Sequence, residues 1–302
     1  MKTAVIGIGS NSVRMLVAET GNGGFRRLAR DREGTRLFAG LDAAGCLSGE
    51  SMRHTADAAA RMAAAARAGG AERIHLFATS ASRDAVNGET FIRMIRERTG
   101  EELEILSGEE EAVLSFLGAS AAAGNAARCG VIDIGGGSTE IVIGGAGGIE
   151  TAFSCQMGAV RLFNQFELTC REDMALVQRA AAAVLREQLE KTPAAEPPEC
   201  WVGTGGTFTT LAAMVRKIPW EDRSCMHGTV ISRREVSDIG AELADMNLEQ
   251  RRALPGMQPH RADIVVHGIC ILLAVMDCLN IPELTVSEWG NLDGYLRKNY
   301  GG

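Results

Sequence analysis

Two segments of this chain resemble each other and lie 126 residues apart, which is close to half of the 302-residue length. Each segment predicts a short apolar strand, a turn of small residues and a second strand. The identical residues at equivalent positions are Val5/Val131, Ile6/Ile132, Ile8/Ile134, Gly9/Gly135 and Ser12/Ser138. A repeat of this period predicts two similar domains, each of which opens on the same hairpin.

The second copy of the hairpin carries three successive glycines between two acidic residues. Gly135, Gly136 and Gly137 lack a Cβ, so the backbone N–H groups of the turn can converge on an anion. Asp133 ends the first strand and Glu140 opens the second, and adjacent carboxylates are typical ligands of Mg²⁺. The turn therefore favours a phosphate that binds together with a metal. The alternative is a tight hairpin whose glycines serve only the turn geometry.

Charge and cysteine content narrow the class of protein. The formal net charge of −7 argues against a general nucleic-acid binder and means that a polyanionic substrate needs a local group of arginines. The eight cysteines include no C-x-x-C pair, which favours reduced thiols over a zinc site or a disulfide framework. The N-terminus enters an apolar strand directly, and the sequence has no apolar run of about 20 residues. We expect a cytoplasmic protein with no membrane partner.

A helix is predicted to start at Ser107 and to carry three consecutive glutamates in its first turn. Ser107 and Glu110 have the S-x-x-E spacing of a capping box, which gives Glu110 a structural role. Glu111 has no such role and can project from a different face of the helix into a cleft. The alternative is that all three glutamates interact favourably with the helix dipole.

A third glycine-rich turn follows a predicted strand at residues 200–202. Its sequence G-T-G-G-T contains Gly205 and Gly206 and opens a helix, which is a second geometry for binding an anion. The chain contains no P-loop motif and no complete dinucleotide-binding fingerprint. The five histidines show no metal-binding spacing, and neither Ser12 nor Ser138 has the neighbours of a catalytic serine.

The domain boundary is predicted in a glycine-containing linker at residues 124–130. The N-terminal domain then covers 1–124, completed by a C-terminal helix at 291–302, and the second domain covers 125–290. An apolar helix at 264–279 fits either a core or a dimer surface, and its composition favours the core. The sequence thus leaves a homodimer open.

This combination of hairpins, glycine turns and acids resembles the sugar kinase, Hsp70 and actin superfamily. Within it, the chain is most similar to the exopolyphosphatase / guanosine pentaphosphate phosphohydrolase family (Ppx/GppA), in its short two-domain form. The motifs that carry the resemblance are IGIGSNSVRMLV, ATSASRDAVNG, LSGEEEA, VIDIGGGSTEIV, MGAVRL, VGTGGT and LPGMQPHRAD. The resemblance implies an α/β fold of two duplicated RNase H-like domains, of the actin/Hsp70 ATPase type, that flank a central cleft.

The same resemblance implies hydrolysis of a terminal phosphoanhydride by water, with Mg²⁺ or another divalent cation as the cofactor. It places the glutamate base at Glu111, beside Glu110, and the metal and water-positioning acids at Asp133 and Glu140. Together Glu111, Glu140 and Glu110 form the candidate catalytic set. The candidate phosphate-binding residues are Gly9, Ser10, Asn11, Ser12, Arg14, Arg83, Gly135, Gly136, Gly137, Ser138, Gly205 and Gly206.

One position departs from the family pattern. The family usually has an aspartate in its first hairpin, and this chain has Gly7 there. The expected metal site is therefore asymmetric, because Asp133 has no acidic counterpart in the first hairpin and must supply more of the coordination. Gly7→Asp is the most informative substitution. Three functions follow as hypotheses: an exopolyphosphatase, a phosphohydrolase that converts pppGpp to ppGpp, and a sensor that binds nucleotide or phosphate without turnover.

Overall fold

The computed structural model describes residues 1–21, 23–42, 44–193, 195–222 and 225–301. Gly302, the last residue of the predicted C-terminal segment, lies outside the described residues.

The strands are β1 (Lys2–Ile8), β2 (Ser12–Gly21), β3 (Gly24–Gly34), β4 (Arg73–Ala78), β5 (Leu103–Ile105), β6 (Arg128–Ile134), β7 (Thr139–Gly145), β8 (Gly148–Cys155), β9 (Cys200–Thr204), β10 (Val230–Ser232) and β11 (Glu283–Val286). The α-helices are α1 (Gly49–Ala68), α2 (Ser80–Asp84), α3 (Gly88–Thr99), α4 (Gly108–Ala119), α5 (Ala159–Gln165), α6 (Met174–Lys191), α7 (Gly206–Arg216), α8 (Arg233–Ala244), α9 (Leu248–Arg252), α10 (Val265–Cys278) and α11 (Asn291–Tyr300). Short 3₁₀ helices cover Leu37–Gly40, Ser120–Ala123, Arg171–Asp173 and Pro259–Arg261.

The chain divides into two compact units. Unit 1 is Met1–Gly118 together with the C-terminal segment that begins at Asn291, and unit 2 is Ala119–Gly290. The helix α11 belongs to unit 1 because its Leu296 lies in the same buried cluster as Val5 and Phe77. Asp293 of α11 also accepts hydrogen bonds from Arg27 Nε at 2.5 Å and Arg30 Nη2 at 2.9 Å, which fixes the helix to β3.

Both units are built on a sheet with the same arrangement of strands. Unit 1 has the order β3-β2-β1-β4-β5, and unit 2 has β8-β7-β6-β9-β11 with β10 added at the edge. In each, the first three strands of the unit form an antiparallel meander, and the first strand pairs in parallel with the fourth. The central strands are apolar on both faces because helices cover the sheets. The predicted fold of two duplicated α/β domains of the RNase H type is confirmed.

The predicted linker at residues 124–130 is wrong in its second half. Strand β6 begins at Arg128, and Gly130 pairs with Ile143 on one side and Trp201 on the other. A Cβ on Gly130 would overlap the indole ring of Trp201. This glycine therefore makes room for a packed aromatic side chain and does not mark a flexible connection.

The apolar helix α10 lies in the core of unit 2, as its composition favours. Residues 265–276 are all buried, His267 included, and the apolar side chains among them pack in one cluster with Phe208, Leu185 and Ile132. No helix in the described part of the chain is both long enough and apolar enough to cross a membrane.

Candidate active site

The first hairpin loop, residues 9–12, is held in unit 1 with its carbonyl groups turned into the protein. The loop closes with a hydrogen bond from the Gly9 N–H to the Ser12 carbonyl at 3.0 Å. The Ser10 carbonyl accepts from the Phe38 N–H at 2.9 Å, and the Asn11 carbonyl accepts from the N–H groups of Thr35 and Arg36. The Ser10 hydroxyl lies 2.8 Å from that of Ser80, so the loop is anchored to α2.

Two side chains of this first loop region are suited to an anion. The Asn11 amide is buried and neither of its polar atoms forms a hydrogen bond with the described residues. Arg14 stands opposite Gly7 in the strand pair, with Nη2 only 3.7 Å from where a Cβ on Gly9 would lie. Arg14 forms no ion pair with any residue that the structure describes, and a half-buried cation of this kind beside a loop favours a phosphate as its partner.

The second hairpin loop, residues 135–138, repeats this geometry in unit 2. The Gly135 N–H donates to the Ser138 carbonyl at 3.0 Å, the same bond at the equivalent position. Its glycine carbonyls are bound by the first turn of α5, a helix that the sequence did not predict. Among the described residues, no partner accepts a hydrogen bond from the N–H groups of Gly136, Gly137 and Ser138. Three such donors in succession are the backbone concavity that binds anions.

Asp133 and Glu140 are brought side by side at the base of the second loop. They are direct partners in the antiparallel pair β6–β7, which places their Cβ atoms about 5 Å apart. Asp133 is 7% exposed and Glu140 is 1% exposed. The Glu140 Oε1 accepts a hydrogen bond from the Ser154 hydroxyl at 2.7 Å. Two neighbouring buried carboxylates repel each other, so this pair fits a bound cation.

The described residues contain no cluster of three or more His, Cys, Asp or Glu side chains that could hold a metal ion. Two carboxylates still fit Mg²⁺, because this ion keeps several waters and is usually bound by one or two carboxylates together with substrate phosphates. The donor set of Asp133 and Glu140 therefore suits a hard divalent cation that arrives with a phosphate.

The glycine turn before α7 is the third feature of the candidate site in unit 2, after the loop at 135–138 and the pair Asp133 and Glu140. Gly205 has φ of 100°, a left-handed conformation that favours glycine, and a Cβ there would lie 2.9 Å from Asp133 Oδ1. A Cβ on Gly206 would overlap the guanidinium of Arg261. Both predicted glycines are thus required by close neighbours, and the N-terminus of α7 lies beside the Asp133 carboxylate.

Glu110 and Glu111 separate into two roles at the start of α4. Glu110 Oε2 accepts from the Ser107 N–H at 2.8 Å, and the Glu110 N–H donates to Ser107 Oγ at 3.1 Å, which confirms the capping box. These hydrogen bonds to the Ser107 backbone and hydroxyl lower the pKa of Glu110. Glu110 also belongs to the candidate catalytic set, and in the structure its carboxylate is engaged by the cap.

Glu111 is buried, with 6% exposure, and Arg83 of α2 is directed at it. Arg83 Nη1 lies 3.4 Å from Glu111 Oε2 and donates to the Leu106 carbonyl at 2.8 Å. Because Ser80 begins the same short helix, α2 links the first loop to the arginine that holds Glu111. Within unit 1 the structure therefore brings together the loop at 9–12, Arg14, Arg83 and Glu111.

The sequence did not identify two arginine side chains that contact the glycine-rich loops of unit 2. Arg161 donates from Nε to the Gly137 carbonyl at 2.6 Å, and Arg261 packs on Gly206. The motifs MGAVRL and LPGMQPHRAD, which contain these arginines, were a signal that they matter but gave no indication of their contacts.

These features define a protein of two actin-like domains in which each domain carries one phosphate-type hairpin loop. The chain belongs to the Ppx/GppA phosphatase family, whose family model matches residues 16–300. The family expected from the sequence is confirmed.

Named relatives and solved structures agree with this assignment. The chain is 35% identical over 312 residues to exopolyphosphatase 2 of Mycobacterium tuberculosis strain H37Rv, with 97% of each chain covered. It is 29% identical over 288 residues to the guanosine-5'-triphosphate,3'-diphosphate pyrophosphatase of Vibrio vulnificus strain YJ016, covering 94% of this chain and 56% of that one. A crystal structure of an exopolyphosphatase-like protein superposes with a TM-score of 0.90 at 27% identity, covering 99% of this chain and 98% of that one. The Aquifex aeolicus PPX-GPPA enzyme gives a TM-score of 0.80 at 26% identity, with 99% of each covered.

Proposed function

We propose that this protein is an exopolyphosphatase, which releases the terminal phosphate of inorganic polyphosphate by hydrolysis. The observation that carries the proposal is the buried pair Asp133 and Glu140 at the base of a loop with three N–H donors that find no acceptor in the described part of the chain. A metal-bound phosphate needs both of these features. The full-length similarity to an exopolyphosphatase supports the choice of a polyphosphate substrate.

In the proposed reaction, Glu111 is the general base. Its carboxylate accepts a proton from a water whose oxygen attacks the terminal phosphorus. The bond from this phosphorus to the bridging oxygen breaks, and the bridging oxygen keeps the electron pair as the new end of the shortened chain. The products are orthophosphate and a polyphosphate shorter by one phosphate. A positioned base of this kind contributes about 10²–10⁴-fold to the rate.

Arg83 positions this base. Its contact with Glu111 and its bond to the Leu106 carbonyl hold the carboxylate in one place between α2 and α4. The reaction requires little covalent chemistry of the protein, so positioning and neutralisation of charge are its main contributions. In this scheme the loop at 9–12 with Arg14 is the phosphate-binding element of unit 1, and the loop at 135–138 is that of unit 2.

Asp133 and Glu140 would hold the divalent cation. When bound, such a cation neutralises phosphate charge and favours an attacking water. Gly205 allows the α7 N-terminus to lie close to Asp133, so its dipole also favours negative charge at this position.

The second candidate is the hydrolysis of pppGpp to ppGpp. It is supported by the match of 94% of this chain to relatives named for a guanosine 5'-triphosphate 3'-diphosphate substrate. The bond that breaks is of the same class, so the same residues would serve both reactions.

A phosphate-release assay separates the candidates. Purified protein is incubated with polyphosphate, pppGpp or ATP, with and without Mg²⁺, and orthophosphate is measured. We expect Mg²⁺-dependent release that is fastest with polyphosphate. Faster release from pppGpp would favour the second candidate. Binding of these ligands with no release from any of them would overturn both and support the sensor hypothesis.

A further inference from the structure

The three glycine carbonyl groups of the loop at 135–138 are all bound on one side by the start of α5. The Gly135 carbonyl accepts from the Ala159 N–H at 3.0 Å, and the Gly136 carbonyl accepts from Val160 and Arg161 N–H at 2.9 and 3.0 Å. The Gly137 carbonyl accepts from Arg161 Nε at 2.6 Å. This approach needs the glycine at 158, because a Cβ there would overlap the backbone of Gly136.

These bonds determine where the loop N–H groups point. In a planar trans peptide, the carbonyl of one residue and the N–H of the next point in opposite directions. Since the carbonyls of Gly135, Gly136 and Gly137 face α5, the N–H groups of Gly136, Gly137 and Ser138 face away from it. Of these three peptide groups, the one between Gly137 and Ser138 is held in place by a side chain, that of Arg161.

In the equivalent loop of unit 1, carbonyl groups are bound by backbone donors among the described residues. The Asn11 carbonyl, which corresponds to that of Gly137, accepts from the N–H groups of Thr35 and Arg36, each at 3.1 Å. Unit 2 replaces these two backbone bonds by one arginine side chain, and Arg161 is itself held by Nη2 donating to Gln156 Oε1 at 2.6 Å. The orientation of the second loop therefore depends on a side chain, which a substitution can remove, whereas the backbone donors of the first loop cannot be removed in this way.

We infer that Arg161 is a positioning residue for the phosphate-binding loop of unit 2. It orients the Ser138 N–H toward the ligand by binding the Gly137 carbonyl, and it carries no proton in the reaction. The ligand class is a phosphate or a phosphate chain with its divalent cation, so the inference rests on the proposed function for the identity of the ligand. A charge-assisted hydrogen bond of this length is among the stronger ones that a side chain can make.

The test measures binding separately from turnover. Affinity for methylenediphosphonate with Mg²⁺, which has no hydrolysable anhydride, is measured by calorimetry alongside the KM and kcat for polyphosphate. We expect Arg161→Met to weaken phosphonate binding and raise KM by about 10-fold or more, with a smaller change in kcat. Arg161→Lys, which can restore one donor, should recover part of the affinity. The control is Arg186→Met, which removes an exposed arginine of the same unit and should change neither quantity.

Chemical rescue separates positioning from a general effect on folding. Millimolar guanidinium should restore phosphonate affinity to Arg161→Ala and should not affect Arg186→Met. Wild-type affinity in Arg161→Met, or affinity that guanidinium and lysine both fail to restore, would overturn the inference. Phosphonate binding that depends on Arg161 in a protein without hydrolytic activity would sustain the inference while the proposed function failed.

Discussion

Leu292 covers Gly7 at the end of β1. A Cβ on Gly7 would lie 3.0 Å from Leu292 Cδ2 and 3.1 Å from Phe77 Cζ. Gly7 occupies the position equivalent to Asp133. Its neighbours on the adjacent strands are Arg14 and Phe77. The corresponding neighbours of Asp133 are Glu140 and Thr204. These equivalent positions across the sheet therefore carry acidic side chains in unit 2 and basic and apolar side chains in unit 1. The first hairpin is suited to an anion, and the second is suited to a cation with its anion.

Gly7→Asp should therefore fail to create a metal ligand. The carboxylate would have to enter a space already occupied by Leu292 and Phe77, so we expect overpacking to destabilise the protein by about 1–3 kcal/mol. Burying the charge adds to this cost. Urea unfolding gives the stability, and Mn²⁺ titration followed by electron paramagnetic resonance gives the metal binding.

The double variant Gly7→Asp with Leu292→Ala tests the cause of this failure. It should recover stability relative to Gly7→Asp alone, because the second change removes the obstructing side chain. A single Gly7→Asp variant that stays stable and binds an additional Mn²⁺ would contradict the account.

The sequence predicts the parts of the site that depend on local chemistry. The two hairpins, the Ser107–Glu110 capping box and the glycine turn before α7 all form where short-range patterns place them. The function of Gly130 could not be predicted in this way, because it is set by Trp201 on a neighbouring strand.

The contacts of Leu292 and Arg161 could not be predicted from the sequence either. Leu292 comes to lie on Gly7 only because α11 returns to unit 1 at the end of the chain. Arg161 acts on a backbone carbonyl, and no sequence pattern reports the direction of a single peptide group. These tertiary contacts decide which hairpin can hold an acid and how its loop is oriented.

Asp133→Asn and Glu140→Gln should each weaken the binding of a divalent cation. Removing one of two ligand charges reduces affinity, because charge count sets the affinity of oxygen-ligand sites, and we expect a loss of at least about 10-fold. Mn²⁺ titration measures it directly. Glu190→Gln, which removes an exposed acid on α6, should leave the Mn²⁺ affinity unchanged. Equal Mn²⁺ affinity in all three variants and the wild type would place the metal elsewhere.

Glu111→Gln and Glu110→Gln should have very different effects on turnover. Loss of the base should reduce kcat for polyphosphate by about 10²–10⁴-fold. Glutamine at residue 110 still satisfies the capping box, so both kcat and stability should stay near wild type. Glu110→Ala removes the cap and should cost about 1 kcal/mol of stability. Full turnover in Glu111→Gln with loss in Glu110→Gln would reverse the assignment.

His75 should make unit 1 less stable as the pH falls below about 6.5. Burial, with a smaller contribution from Arg73, lowers the pKa of His75 from its ordinary value of 6.5, while Glu101 and Glu104 act in the opposite direction. The unfolded chain thus takes up a proton at a higher pH than the folded one, so stability is full above the unfolded pKa and declines as the pH falls toward the folded pKa. His75 lies 3.0 Å from the Tyr300 hydroxyl, so its protonation acts where α11 packs on β4.

Thermal unfolding between about pH 5 and pH 8 tests this, because that range includes the ordinary histidine pKa of 6.5 and extends below it, the direction in which burial moves the pKa of His75. His75→Gln can keep a hydrogen bond to Tyr300 and should lose less stability on acidification than the wild type. Some pH dependence should persist, because burial also lowers the pKa of His267 in unit 2. His54→Gln changes an exposed histidine of α1 and should keep the wild-type slope. The opposite result, with the slope reduced by His54→Gln and retained by His75→Gln, would show that the α11 contact does not respond to pH in this range.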